Sequence, residues 1–201
     1  MEPSRRDVIL NAALKEFALK GFDKASTNII AQESGMSKAL MFHYVQNKRD
    51  LFLFVYDYFT DLIDKEYGNL IDFSEKDIFA RLRQSYLLQV GLIKKYPWVF
   101  EVNKLSGMTC SQEINRALEE RAQRKNATCH TQIFDNIDES KFREGLDIDT
   151  CKQFILWSNI GFTNQILEEL RNSESSDVDS ESVMARIDGY FAELKKILYK
   201  E

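Results

Sequence analysis

Between Ser26 and Phe52 the chain gathers Thr27, Asn28, Ser37, Lys38, His43 and Lys48, side chains that donate hydrogen bonds or carry positive charge. They do not form a catalytic set. His43 and His130 are the only histidines, no glycine-rich phosphate loop occurs, and no His, Cys or acidic residues recur at metal-ligand spacing. No enzyme activity, cofactor or metal is therefore expected. Cations and hydroxyls on a short scaffold do another chemistry: they pair with phosphates, and a lysine that reaches a groove donates to guanine O6 or N7.

Short helices must present these groups. Thr27 is a good N-cap, Ile29, Ile30 and Ala31 follow it as an apolar face, and Gly35 ends that helix because glycine enters the left-handed region at little cost. Ser37 caps a second helix, Lys38 to about Val45, which buries Met41, Tyr44 and Val45 and turns Lys38, Ala39, Leu40, Phe42 and His43 outward. Asn47 caps a third, with Asp50 placed as the answering acid. Two short helices across a glycine turn make a helix-turn-helix, whose second helix fits a DNA major groove.

This segment resembles the TetR family of bacterial transcriptional regulators. The family pattern Thr-x-x-x-Ile-Ala-x-x-Ala-Gly-Val-Ser-x-Gly-x-Leu-Tyr-x-x-Phe-x-x-Lys-x-x-Leu is followed without insertion by Ser26, Ile30, Ala31, Ser34, Gly35, Met36, Ser37, Ala39, Met41, Phe42, Val45, Lys48 and Leu51. Four positions depart: Ser26 for threonine, Ser34 for alanine, Ala39 for glycine, and Phe42 for a tyrosine that resembles a phosphate donor. The resemblance implies that Lys48 contacts phosphate, and Thr27 stands beside the pattern's opening hydroxyl with the same capacity. Asn28, Ser37, Lys38, Ala39, Leu40 and His43 then lie along base edges or nearby backbone. Lys38 is suited to guanine, Leu40 to a thymine methyl, and Phe42 to a sugar or to the head's own surface.

Composition agrees with an all-α fold: 201 residues that are 44% hydrophobic can bury a core, and two prolines with eight glycines leave few helix breakers. The net charge of −5 argues at first against a polyanion, but residues 1–50 carry eight Lys or Arg against six acids, and the remainder 19 against 26. DNA binding needs a local basic surface, not a basic protein. No apolar run of about 18 residues and no signal core appear, so a cytoplasmic protein without a membrane partner is expected, nucleoid-associated when bound to DNA. Cys110, Cys129 and Cys151 match neither a disulfide framework nor a metal site.

Along the chain, a first helix from Pro3 and Ser4 to Gly21 packs across the pair, giving a head over residues 1–47, with the family-type region extending to about 62. Residues 48–201 form a second helical domain for ligand binding and dimerisation. Its expected helices run from Lys48 to about Tyr67, from a Ser74 cap to Tyr96, from Trp98 to about Leu105, and from a Ser111 cap to about Ile137. After a loop over 138–149 come a helix opened by a Thr150–Gln153 capping box, a polar linker over 172–181, and a last helix. Aromatic residues at helical spacing are usually core. In the resembled family this region encloses a mostly apolar cavity, which implies Tyr86, Trp98, Phe100, Phe134, Phe154 and Trp157 as its lining and Glu101 as an orienting group. The last two helices occupy the place of the family's dimeric four-helix bundle, with Phe154, Gly161, Phe162, Ile166, Val183, Ile187, Tyr190, Leu194 and Ile197 as the interface. The expected function is a ligand-responsive regulator, a repressor, that binds a pseudo-palindromic DNA operator as a homodimer and is released or altered by a small, mostly apolar effector. The alternative is a helical dimer that acts through protein partners without specific DNA binding.

Overall fold

A computed structural model describes residues 5–107, 109–124, 132–172 and 180–200, without the side chains of Tyr44, Arg124 and residues 170–172. Cys129 and His130 lie outside the described residues. The described α-helices are α1 (Arg5–Lys24), α2 (Thr27–Glu33), α3 (Lys38–Tyr44), α4 (Lys48–Glu66), α5 (Ile78–Lys95), α6 (Gln112–Arg124), α7 (Ile148–Asn172) and α8 (Ser180–Leu198). The only extended pairing among the described residues is one antiparallel bridge, Phe142 to Tyr199. The chain forms two compact units, Met1–Asn69 with Tyr96–Ala127, and Leu70–Lys95 with Thr128–Glu201.

The first unit is built on α1 and α4. Leu10, Leu14 and Phe17 from α1 and Leu51, Phe52, Val55 and Phe59 from α4 are buried at helical spacing, and Ile30 and Met41 close the core from α2 and α3. Phe52 is met edge-on by Phe17 at 4.9 Å and by Phe22 at 5.2 Å. Gly21 stands at φ 70 and breaks the regular path of α1 where the sequence anticipates its end. The first turn of α1 is fastened to α4 by Tyr58, whose hydroxyl donates to Asp7 at 2.8 Å and lies 3.5 Å from the Tyr96 hydroxyl. Burial, with the hydrogen bonds to Tyr96 and Asp7, pushes the Tyr58 pKa up. Helix α4, expected to open the second domain, lies wholly in this unit. So do the 3-10 segment Val99–Gly107 and α6, which is clamped along α4 by Arg121 Nε donating to both Asp57 oxygens at 2.9 and 3.0 Å.

In the second unit, α5 begins at Ile78, because Asp77 accepts the free amides of Phe79 at 2.9 Å and Ala80 at 3.2 Å. The expected cap, Ser74, instead donates its own amide and hydroxyl to Asp72, so the helix starts three residues later than the serine suggests. Arg81 is wholly buried and donates to the carbonyls of Phe73, Glu75, Ile133 and Asp135. Residues 133–136 form a turn, with Asn136 at φ 55, where a helix to Ile137 is expected. The carbonyls that a helix would use are taken by this guanidinium. Helix α7, by contrast, starts earlier than expected, with Asp147 accepting the Thr150 amide at 2.8 Å, so Thr150 is not the cap. Helix α8 packs on α5 through Phe191, whose ring is 5.6 Å from Phe79 and 5.8 Å from Tyr86.

Candidate nucleic-acid interface

The turn between α2 and α3 is set by backbone chemistry. The Met36 amide donates to the Ala31 carbonyl at 3.0 Å and the Gly35 amide to Gln32 at 3.1 Å, with Gly35 at φ 65. This is a Schellman closure, which satisfies the last carbonyls of α2 and turns the chain at once into α3. Ser37 then accepts the Leu40 amide at 3.2 Å as the cap of α3, and Asn47 accepts the Asp50 amide at 2.9 Å as the cap of α4. At α2 the cap is Ser26 and not Thr27. Glu16, buried on α1, takes the Ser26 amide at 2.9 Å and so fixes where α2 begins.

On α3, Met41 is wholly buried against the head while Lys38, Ala39 and His43 are exposed and Leu40 and Phe42 are half-buried. Asn28 is exposed on α2, Thr27 is half-buried at its first turn, and Ser37 is exposed at the start of α3. Lys38 Nζ lies 5.8 Å over the Phe42 ring, so Phe42 supports a cation where the family pattern has a hydroxyl. Lys48 Nζ lies 5.0 Å over Phe22 and donates to the Asp23 carbonyl at 3.2 Å, which holds it across the α1–α2 connection.

Charge on the head is arranged by what its acids already hold. Glu33 pairs with Lys15 at 2.9 Å, Asp7 accepts from Tyr58, Glu16 from Ser26, Asp23 from the Cys110 amide at 2.8 Å, and Asp50 from Asn47 at 2.9 Å. Among the described residues, no carboxylate lies within ion-pair distance of Arg5, Lys20, Lys24 or Lys38. Arg5 also lines a groove of about 350 Å³ with Gly35, Ser37 and Leu40, so the first turn of α1 borders the exposed start of α3. The sequence reading missed Arg5. Its position in the first turn of α1 carries no signal until that turn is seen to border the α2–α3 turn.

The other expected site residues divide between the two units. Trp98, Phe100 and Glu101 belong to the first; there Phe100 meets Tyr67 at 5.8 Å, and the buried Glu101 pairs with Lys104 at 3.0 Å. Tyr86, Phe134, Phe154 and Trp157 belong to the second. Tyr86 is buried and its hydroxyl is 2.7 Å from Thr163 Oγ1 on α7, whereas Phe154 and Trp157 are 55% and 60% exposed and touch each other at 6.0 Å. Thr163 and Trp157 are six residues apart, which on a helix puts them about 120° apart around the axis. Of the nine expected interface residues, Ile166, Val183 and Ile187 are buried within this unit, and Phe162 stacks on Tyr190 at 4.3 Å. Leu194 is half-buried, while Phe154, Gly161 and Ile197 are exposed. The exposed side of α7 also carries Leu156 and Ile160, residues that the interface reading omitted.

Comparison with known proteins agrees with this architecture. Residues 9–55 match the family described as bacterial regulatory proteins, tetR family. The nucleoid occlusion factor SlmA of Edwardsiella ictaluri is 25% identical over 172 residues, 85% of each chain. The ketosteroid transcriptional regulator KstR2 of Mycobacterium tuberculosis superposes with a TM-score of 0.63 at 18% identity, covering 100% of this chain and 97% of its own. A TetR family transcriptional regulator from Chloroflexus aurantiacus superposes with a TM-score of 0.64 at 18% identity, covering 100% and 96%. No described helix is long and apolar enough to cross a membrane.

Proposed function

We propose that this chain, a TetR-family transcriptional regulator by the match of its DNA-binding head, acts as a homodimeric repressor that a small, mostly apolar effector releases from a pseudo-palindromic operator. One observation carries the DNA-binding part: α3 follows the Gly35 turn with Lys38, Ala39 and His43 exposed and, among the described residues, no carboxylate paired with Lys38, while the head's described carboxylates are held by internal partners. A short helix presented this way enters a major groove. A single head buries too little surface for specificity, so two linked heads read two half-sites.

The dimer reading is supported by the exposed side of α7, where Phe154, Leu156, Trp157 and Ile160 are each more than a third exposed around Gly161. Such an unpartnered apolar face is the ordinary mark of an interface. The effector reading rests on the aromatic residues of 86–157 and on family resemblance; a ligand switches the protein only by favouring one head arrangement over the other. The protein would then work in the cytoplasm, on the nucleoid. The test is a mobility shift with duplexes selected from a random pool. Lys48→Ala should weaken binding to every sequence and lower the salt slope by about one, and Lys38→Ala should relax preference at one base pair. Failure of wild-type protein to shift any duplex would leave the protein-partner reading.

A further inference from the structure

We propose that Arg49 is a further phosphate-contacting residue of the head, and that Glu113, at the start of α6, competes with DNA for it. The inference rests on the DNA-binding reading above. Lys48 and Arg49 are consecutive residues of the first turn of α4, yet the structure uses them differently. The Lys48 ammonium is drawn back to the Asp23 carbonyl, whereas the Arg49 side chain is 42% exposed and its Nη2 meets Glu113 Oε1 at 3.0 Å. Its Nη1 is 3.8 Å from Asp50 Oδ1, and its Nε is buried with no hydrogen-bond partner among the described residues. The guanidinium thus has unused donor capacity and one close carboxylate.

The place of Glu113 is determined by the fold. Two attachments and a local cap fix the start and side of α6 on the head and α4. The Cys110 amide donates to Asp23, Ser111 Oγ accepts the Ile114 amide at 3.4 Å as the helix cap, and Arg121 clamps Asp57. Asp23 therefore links Lys48 to the α6 start: its carbonyl takes the Lys48 ammonium and its carboxylate takes the Cys110 amide, three residues before Glu113. A guanidinium fork fits carboxylate and phosphate alike, so a DNA phosphate approaching the first turn of α4 must displace Glu113 or share Arg49 with it. Glu113 is 73% exposed, and an ion pair so wetted is weak enough for a phosphate to replace. The consequence is a graded brake. Displacement of the α6 start away from α4 frees Arg49 and strengthens DNA binding, and tighter seating weakens it.

Glu113 also occupies a first-turn position that favours an acid for its own helix, so removing it alone does not identify its target. The decisive measurement is a cycle of wild type, Glu113→Gln, Arg49→Ala and the double variant. Each is titrated by fluorescence anisotropy, over a range of salt, against one labelled duplex recovered from a random pool by the wild type. The proposal expects Glu113→Gln to bind about threefold tighter with a salt slope steeper by up to about one, Arg49→Ala to bind more weakly with a shallower slope, and the double variant to match Arg49→Ala. Glu113→Ala should repeat the Glu113→Gln result. Unchanged affinity in both Glu113 variants overturns the proposal. So does an equal gain from Glu113→Gln with Arg49 absent, since removal of any negative charge would do the same. A wild type that binds no duplex removes the DNA-binding reading and this inference with it, whereas a wild type that binds while the cycle fails removes the inference alone.

Discussion

Arg81 and Ile133 are joined by a hydrogen bond of 2.9 Å between a fully buried guanidinium and a main-chain carbonyl 52 residues along the chain. The same side chain also takes the carbonyls of Phe73, Glu75 and Asp135, which ties two connections of the second unit to the first turn of α5. A methionine of similar length would leave these carbonyls without donors, and lysine offers a single ammonium in place of the planar fork. Arg81→Met should cost about 3 kcal/mol, and Arg81→Lys at least half of that, in urea unfolding. Loss of less than about 0.5 kcal/mol in both would mean that water replaces the guanidinium without penalty.

Gly35 and Gly91 should respond to alanine with opposite signs. Neither would bring a new Cβ within 4 Å of another atom, so space does not distinguish them. Gly35 sits at φ 65, where a side chain clashes with its own backbone, while Gly91 is an exposed residue inside α5. Gly35→Ala should destabilise by about 1 kcal/mol and weaken DNA binding by tilting α3, and Gly91→Ala should stabilise by about 0.5–1 kcal/mol. Thermal unfolding of the two variants checks this, and shifts of the same sign would contradict the backbone argument.

What the sequence made legible here was decided within a few residues. The Gly35 turn and the caps at Ser37, Asn47 and Ser111 are local contests between a side chain and the amides just after it, and all four appear where the residue types put them. The starts of α5 and α7 were misplaced because Asp77, three residues after Ser74, and Asp147, three residues before Thr150, cap these helices in place of the hydroxyls. Arg81 was invisible, since its acceptors are fixed by how the chain returns and not by spacing. Helix α7 is apolar nearly all round, so its pattern could not tell Ile155 and Ile166, which are buried, from Trp157 and Ile160, which are exposed.

Asp77 gives the fold a predictable acid response. Burial alone would raise its pKa, but hydrogen bonds from Lys141 at 2.8 Å and from the Ala80 amide, with the charge of Lys195, hold it below the ordinary carboxylate value. The Tyr199 hydroxyl also faces it at 3.4 Å. A carboxylate with a depressed folded pKa adds stability that is complete above its unfolded pKa, about 3.9, and is lost as pH falls through the folded value. Asp77→Asn should therefore destabilise most at neutral pH, with the difference from wild type shrinking below about pH 4. Denaturant midpoints measured from pH 7 to pH 3 test the sign, and a gap that widens toward acid would rule it out.

The dimer reading can be separated from the stability of the fold because the exposed side of α7 is distinct from its buried side. Trp157 is 60% and Ile160 50% exposed, so placing an acid there disturbs the core far less than at Ile187, which is fully buried and where an acid should unfold the chain. In a dimer that closes on this face, Trp157 has the size and amphipathic character of an interface anchor. Trp157→Glu and Ile160→Asp should each weaken self-association by about 2–4 kcal/mol, enough to give monomers at micromolar concentration. Both should keep the helical circular dichroism of the wild type. Weakened specific DNA binding should accompany the loss, because the two half-sites would no longer be read by linked heads. Sedimentation velocity supplies the measurement. A dimer unchanged in both variants would move the interface off this face of α7, and a wild type that sediments as a monomer would remove the dimeric operator altogether.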